Sequence, residues 1–163
     1  MIDILIEDDR WVEMAFEAIA TEATKAVLDH HSIPANVAEI AILACDDARI
    51  ATLNTEFRGK PTPTNVLSWP TEDLAPEKDG DAPVKPTEAQ DGSRDLGNVA
   101  IAYDTCKREA DEQNKALADH VAHLIVHGVL HLLGYDHIRD GDATRMEALE
   151  VKILGRLGIP DPY

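Results

Sequence analysis

The residues with the clearest chemical capacity lie between His120 and His137, in HVAHLIVHGVLHLLGYDH. His127 and His131 are four positions apart in a stretch of helical apolar periodicity. At about 3.6 residues per turn, such a pair projects from one helix face with one ring above the other. Two neutral imidazoles so placed grip one divalent ion, with Zn–N bonds of about 2.0–2.1 Å. A straight helix does not easily offer a third ligand to the same tetrahedral ion, so the chain must turn back. Gly134 stands three positions after His131, where it takes the left-handed conformation that ends a helix. His137 then approaches from another side. The pattern H-x3-H-x2-G-x2-H thus predicts His127, His131 and His137 as ligands to about one Zn2+ per chain, with the fourth position open to water as in catalytic sites. Nitrogen-only ligation also suits nickel, cobalt or copper, so zinc is inferred from availability and ligand type. A lone histidine on an apolar helix is ordinarily a packed core residue. Three at this spacing, with the glycine between them, are far less accidental.

The same spacing occurs in metzincin proteases, with one departure. Metzincins carry Glu directly after the first histidine as general base, and here that residue is Gly128. A peptidase reading therefore lacks its proton acceptor, although a bound metal still activates water. His123 lies one turn before His127, and His120 falls on much the same side. Either packs against its surroundings or lines the cleft, and His123 is a candidate acid, base or substrate contact. Asp136 either hydrogen-bonds a ligand imidazole or shapes the turn after Gly134. His30 and His31 sit at a helix end, a favourable place for a cation.

A second feature is an absence. Phe57–Pro70, FRGKPTPTNVLSWP, contains no acid, while the chain as a whole has 31. The window carries Arg58 and Lys60, which suit a phosphate ester. With 15 basic residues the net charge is −16. That opposes polyanion binding on average; a nucleic acid would need a local positive groove, to which a bound Zn2+ contributes.

Length and composition set the frame. The chain has 163 residues, 44% of them apolar and 28% charged, which fits one globular domain with its own core and excludes collagen-like, low-complexity and wholly disordered classes. Aromatics are 4%, so the core is mainly aliphatic. No apolar run reaches the roughly 18 residues of a membrane span, and the acidic N-terminus lacks the basic region of a secretory signal; a cytoplasmic, membrane-free location is expected. Cys45 and Cys106 read as buried free thiols, with a lowered pKa for Cys106 if it meets a helix N-terminus.

The positioning elements follow from periodicity. Strands are expected at Ile2–Glu7, Ala38–Cys45, Asn65–Trp69 and Leu96–Tyr103. One helix runs from Trp11 to His31. A second is capped by Asp46 or Asp47, and a long one is capped by Asp104 or Thr105 and runs to Leu133. A last helix spans Asp142–Leu157. Thr71–Asp95 has 3 basic and 8 acidic residues and no apolar periodicity, and reads as a mobile acidic insertion. The expectation is a single α+β domain, residues 1–163, with a mixed four-stranded sheet packed against helices and the metal site at the end of a long central helix.

HGVLHLLGYDH resembles closely the histidine signature of the YbeY family, bacterial endoribonucleases of ribosomal RNA maturation. FRGKPTPTNVLSWP is similar to that family's Arg-x-Lys loop and following strand, and LGNVAIA to a third signature. The resemblance covers roughly Ala38–Tyr163, interrupted by Thr71–Asp95. It implies a zinc-dependent, single-strand-directed endoribonuclease in 16S rRNA 3′-end maturation and ribosome quality control. Its partners would be ribosomal RNA, the small ribosomal subunit and ribosome-associated proteins. The family's ligands fall on His127, His131 and His137, and its functional arginine on Arg58. Lys60, Asn65 and Ser68 match the substrate-side motif. The position after Gly97, often Asp in the family, is Asn98. Two other readings are a non-enzymatic ribosome assembly factor with a structural metal and, less favoured, a metalloprotease.

Overall fold

Apolar alternation and two aliphatic runs build the sheet. A computed structural model describes residues 1–163. Its elements are β1 (Ile2–Ile6), α1 (Arg10–Glu13), α2 (Phe16–His30), β2 (Ala38–Cys45), α3 (Asp47–Arg58), β3 (Val66–Pro70), β4 (Arg94–Ala102), α4 (Tyr103–Glu112), α5 (Leu117–Leu132) and α6 (Asp140–Arg156). The four strands form one sheet in the order β1-β2-β4-β3. β1, β2 and β4 run parallel, and β3 runs antiparallel to β4. This is the expected α+β arrangement on a mixed sheet.

The two faces of the sheet are unequal. Ile40, Ile42, Val99 and Ile101 meet Val27 and Leu28 of α2 and Ile125 and Val129 of α5 in the main core. Each such side chain contributes about 1.5–3 kcal/mol by leaving water. On the opposite face, Ile50 and Leu53 of α3 cover Cys45, Leu67 and Ala100 in a smaller cluster. α5 is thereby clamped on β3 and β4, and this fixes the histidine helix relative to the Arg58 loop that precedes β3.

β4 carries a register irregularity where Glu39 pairs with Asp95 but Ile40 pairs with Gly97. Gly97 has φ +127°, and a Cβ there would lie 2.1 Å from the Trp69 carbonyl oxygen. Only glycine tolerates both the backbone angle and the approach of β3.

Several boundaries differ from the sequence expectation. The first helix is split at Met14–Ala15, with Ala15 at φ 57°. Trp11 is fully buried, and its Nε1–H donates to the Cys45 carbonyl at 2.8 Å, so the short α1 serves the indole and α2 takes a new direction. The long helix expected to Leu133 is two helices broken at Gln113–Ala116, where Asn114 takes φ 53°; Asn bears this conformation better than most residues. Asp46 caps α3 through Arg49 N–H at 2.8 Å, as expected. At α4 the local cap is replaced by a reciprocal one. Asp104 accepts from Asp47 N–H at 3.2 Å, and Asp47 accepts from Thr105 N–H at 3.0 Å. Two helix N-termini thus satisfy each other's free amides.

Residues 71–93 form no helix or strand, yet Leu74 is buried and the stretch is fastened at several points described below. Both cysteines are free and buried. Burial, with Glu7 nearby, pushes the Cys45 thiol up to about 12. Burial raises Cys106 as well, so it is not an activated thiol despite its place in the first turn of α4. No helix is long and apolar enough to cross a membrane.

Candidate metal centre

On α5, His123, His127 and His131 form a half-buried stripe at successive turns, while Leu124, Gly128 and Leu132 beside them are buried. The i, i+4 spacing therefore places the rings at the rim of the core, where a lone pair meets solvent. α5 ends at Leu132, and Gly134 then turns the chain at φ +97°. The reversal returns His137 to the helix end. The His127 and His131 Nε2 atoms are 3.0 Å apart. The His137 ring centroid lies 5.3 Å from that of His127 and 5.2 Å from that of His131. One ligand nitrogen from each ring falls within 4.8 Å of the others.

Those residues fit a divalent cation. Ligands about 2 Å from a tetrahedral zinc are about 3.3 Å from each other, close to the observed Nε2 separation. The ligand must also be neutral, and burial, aided by the neighbouring His127, lowers the His131 pKa to about 4. His127 is oriented from behind. Its Nδ1 meets Glu150 Oε1 at 3.1 Å. The other Glu150 oxygen takes His123 Nε2 and, at 3.0 Å, the Tyr163 hydroxyl. Burial favours the neutral acid, but the bonds from His123 and His127 prevail and hold Glu150 below the ordinary carboxylate range. A carboxylate only accepts, so Nδ1 of His127 carries the proton and Nε2 keeps its lone pair for the metal side.

The three imidazoles open into a cleft of about 580 Å³ whose wall includes Arg58, Asn65 and Ser68. Arg58 is the last residue of α3, and Gly59 at φ 68° ends the helix behind it. It is exposed and enters no ion pair, so its guanidinium is available to a phosphate. Ser68 Oγ donates to the Gly128 carbonyl at 3.2 Å, which ties β3 to α5. Asn65 donates to Glu109 at 3.0 Å and accepts from Val66 N–H at 2.6 Å, so its amide is occupied in holding the start of β3.

Three residues weighed in the sequence stand elsewhere. Lys60 is exposed and outside the cleft wall. His123 lines a separate cavity with His120, Lys115 and Pro162, and one of its ring nitrogens lies within 4.8 Å of ligand atoms of both Glu150 and His127. Asn98 lies in the groove on the opposite sheet face, beside Leu5 and Phe57, away from the histidines. Asp136 accepts from His137 N–H at 2.7 Å, shaping the turn, and the same oxygen lies 3.5 Å from His137 Nδ1. His31 is also more than a helix-end cation. Burial lowers its pKa, and its Nε2 meets the Tyr135 hydroxyl at 3.0 Å in the ligand loop.

Gly128 has a packing reason. A Cβ there would lie 3.1 Å from Val99 Cγ1 and 3.3 Å from Ser68 Oγ. The position at which a metzincin carries its general base is pressed against the sheet, and any side chain there would have to displace Val99 or Ser68.

Sequence reading missed Glu150. The available signal was an acid on the apolar face of α6, in line with Met146, Ile153 and Leu154, all buried. Glu150→Gln is expected to weaken zinc binding about 10–100-fold, because a neutral amide orients Nδ1–H and raises the ligand's basicity less than a carboxylate does. Competition against a chromophoric chelator measures it, and unchanged affinity would remove Glu150 from the centre.

Comparison with known proteins identifies the family. The family model described as Endoribonuclease YbeY matches residues 3–158. Proteins named Endoribonuclease YbeY from Ruegeria sp. (strain TM1040) and Ruegeria pomeroyi are each 57% identical, over 100% and 99% of this chain and 96% and 97% of their own lengths. That of Bradyrhizobium diazoefficiens is 48% identical over 100% of this chain and 85% of its own. The solution structure of TM1509 from Thermotoga maritima superimposes with a TM-score of 0.57 at 18% identity, covering 97% of this chain and 92% of that one, a likeness of fold. With the histidine signature, the sheet order and a family match over nearly its whole length, this chain belongs to the YbeY endoribonuclease family.

Proposed function

We propose that the cleft hydrolyses phosphodiester bonds of single-stranded RNA, with Zn2+ held by His127, His131 and His137, and that its cytoplasmic substrate is the 3′ end of 16S rRNA in the small ribosomal subunit. The supporting observation is the convergence of three imidazoles beside an unpaired arginine in one cleft. When bound, a divalent ion supplies Lewis acidity toward water and a phosphoryl oxygen. The remaining work belongs to the chain. Arg58 binds the phosphate and stabilises charge that develops on it. Lys60, two residues from Arg58, adds attraction as a point charge. Ser68 and Asn65 hold the β3 wall against which the strand lies. His123 acts through Glu150 on His127 rather than on the RNA. Glu72 and Asp73 also line the cleft and repel the backbone, so the phosphates keep to Arg58.

Incubation of the purified chain with single-stranded and duplex RNA oligonucleotides tests the reading. Cleavage confined to the single strand, abolished by chelator and restored by Zn2+, is the expected result. Cleavage indifferent to chelation would sink it.

A further inference from the structure

The third ligand is the least supported of the three. His127 and His131 belong to a packed helix, whereas the His137 side chain is about half exposed and its neighbour Ile138 is 82% exposed. Nothing within the turn fixes it except the Asp136 contact. Both flanks of that turn, however, meet one distant segment of chain, residues 74–80.

On the near flank, the Leu74 backbone lies against Gly134. A Cβ on Gly134 would be 2.6 Å from the Leu74 carbonyl oxygen. That carbonyl also accepts from Val84 N–H at 2.9 Å, and the Leu74 side chain is buried. On the far flank, the Arg139 guanidinium donates to the Pro76 and Glu77 carbonyls, each at 2.8 Å, and to Asp142 at 2.7 Å. The start of α6 has no side-chain cap of its own at Arg139. Asp79 supplies one from outside the helix, accepting from Asp142 N–H at 2.8 Å and Gly141 N–H at 3.1 Å. Gly80 N–H donates back to Asp142 at 2.9 Å, and Arg145 donates to the Gly80 carbonyl at 2.8 Å. Gly141 allows the approach, since a Cβ there would lie 2.8 Å from an Asp79 oxygen.

We infer that residues 74–80 are a strap that positions His137 for the metal, with Asp79 and Arg139 as positioning residues that set zinc affinity without touching the ion. The inference rests on the metal reading above. A cap of this kind stabilises its helix start; here that start is three residues beyond a ligand, so loosening it frees the ring that completes the site. The acidic insertion thereby has a structural task at the metal centre besides lining the cleft.

The test is Zn2+ affinity of the full chain, by competition with a chromophoric chelator, beside the metal-free Tm. Asp79→Ala is expected to weaken zinc binding about tenfold or more, the scale of losing a residue that orients a ligand. Asp79→Asn removes the same charge but keeps an acceptor oxygen, and its affinity lies closer to the parent. Arg139→Gln, which breaks the two carbonyl contacts with a milder change, also weakens binding. Asp104→Ala, at the α3–α4 cap, lowers Tm but leaves zinc affinity within about twofold, because a general loss of stability does not act on ligand geometry. If Asp79→Ala does not fold, Arg139→Gln decides. Variants that bind zinc as the parent does, while His131→Ala does not, overturn the strap's role alone. A parent that takes up no zinc overturns both this and the proposed function.

Discussion

His131→Ala is expected to lower bound zinc from about one ion per chain to near zero and to abolish RNA cleavage. The substitution leaves His127 and His137 facing each other with no buried partner in the corner between them. Two imidazoles on separate elements then hold an exchangeable ion that dilution removes. The readout need not be catalytic. A ligand that binds only the folded state stabilises it by RT ln(1 + [L]/Kd), about 2.7 kcal/mol at a hundredfold excess over Kd. The parent should therefore show a rise in Tm on adding Zn2+, and His131→Ala should show none. The metal-free chains should melt close together, since His131 is only half-buried. A variant that keeps its zinc and its thermal shift would mean that the ion sits elsewhere, and the centre described here would fall.

Arg58→Ala is expected to leave fold and metal intact and to lose RNA cleavage. Arg58 is exposed at the last position of α3 and has no carboxylate partner, so its truncation should shift stability by no more than about 0.5 kcal/mol. Removal of one group that stabilises developing charge costs about 10²–10³-fold in kcat. Lys60→Ala serves as the comparison. Lys60 lies outside the cleft wall and is a point charge, so its loss should weaken RNA binding modestly and leave kcat nearly unchanged. The pair also separates enzyme from scaffold. An assembly factor whose metal merely holds the α5 turn would tolerate Arg58→Ala in ribosome maturation, whereas a nuclease would not. Intact processing by a folded, zinc-loaded Arg58→Ala chain would favour the scaffold.

The chemistry was legible because it is local. His127, His131, Gly134 and His137 fall within one helix end and the turn beyond it, and helix geometry alone dictates where two of the rings point. The same holds for β2, whose expected limits Ala38–Cys45 are those observed, and for the Asp46 cap. In each case the deciding interaction spans a few residues, so spacing and residue type carry it. Arg58 was legible in a different way, as a cation in a window without acids; only the fold shows that its loop shares a cleft with the histidines.

What spacing left open was decided by contacts between residues far apart in the chain. Glu150 reaches His127 across 23 positions, Asp79 caps α6 across 63, and Asp47 and Asp104 cap each other's helices across 57. Periodicity reports which face of an element is apolar, but not which element it meets. A buried carboxylate on α6 and an acidic stretch without pattern therefore looked like exceptions in the sequence. Tertiary packing gives both a task, because a charge taken out of water must find a partner and a helix start must find an acceptor. The sequence determined which three histidines are spaced to share one cation; the packing of α5 and α6 decided how their rings meet.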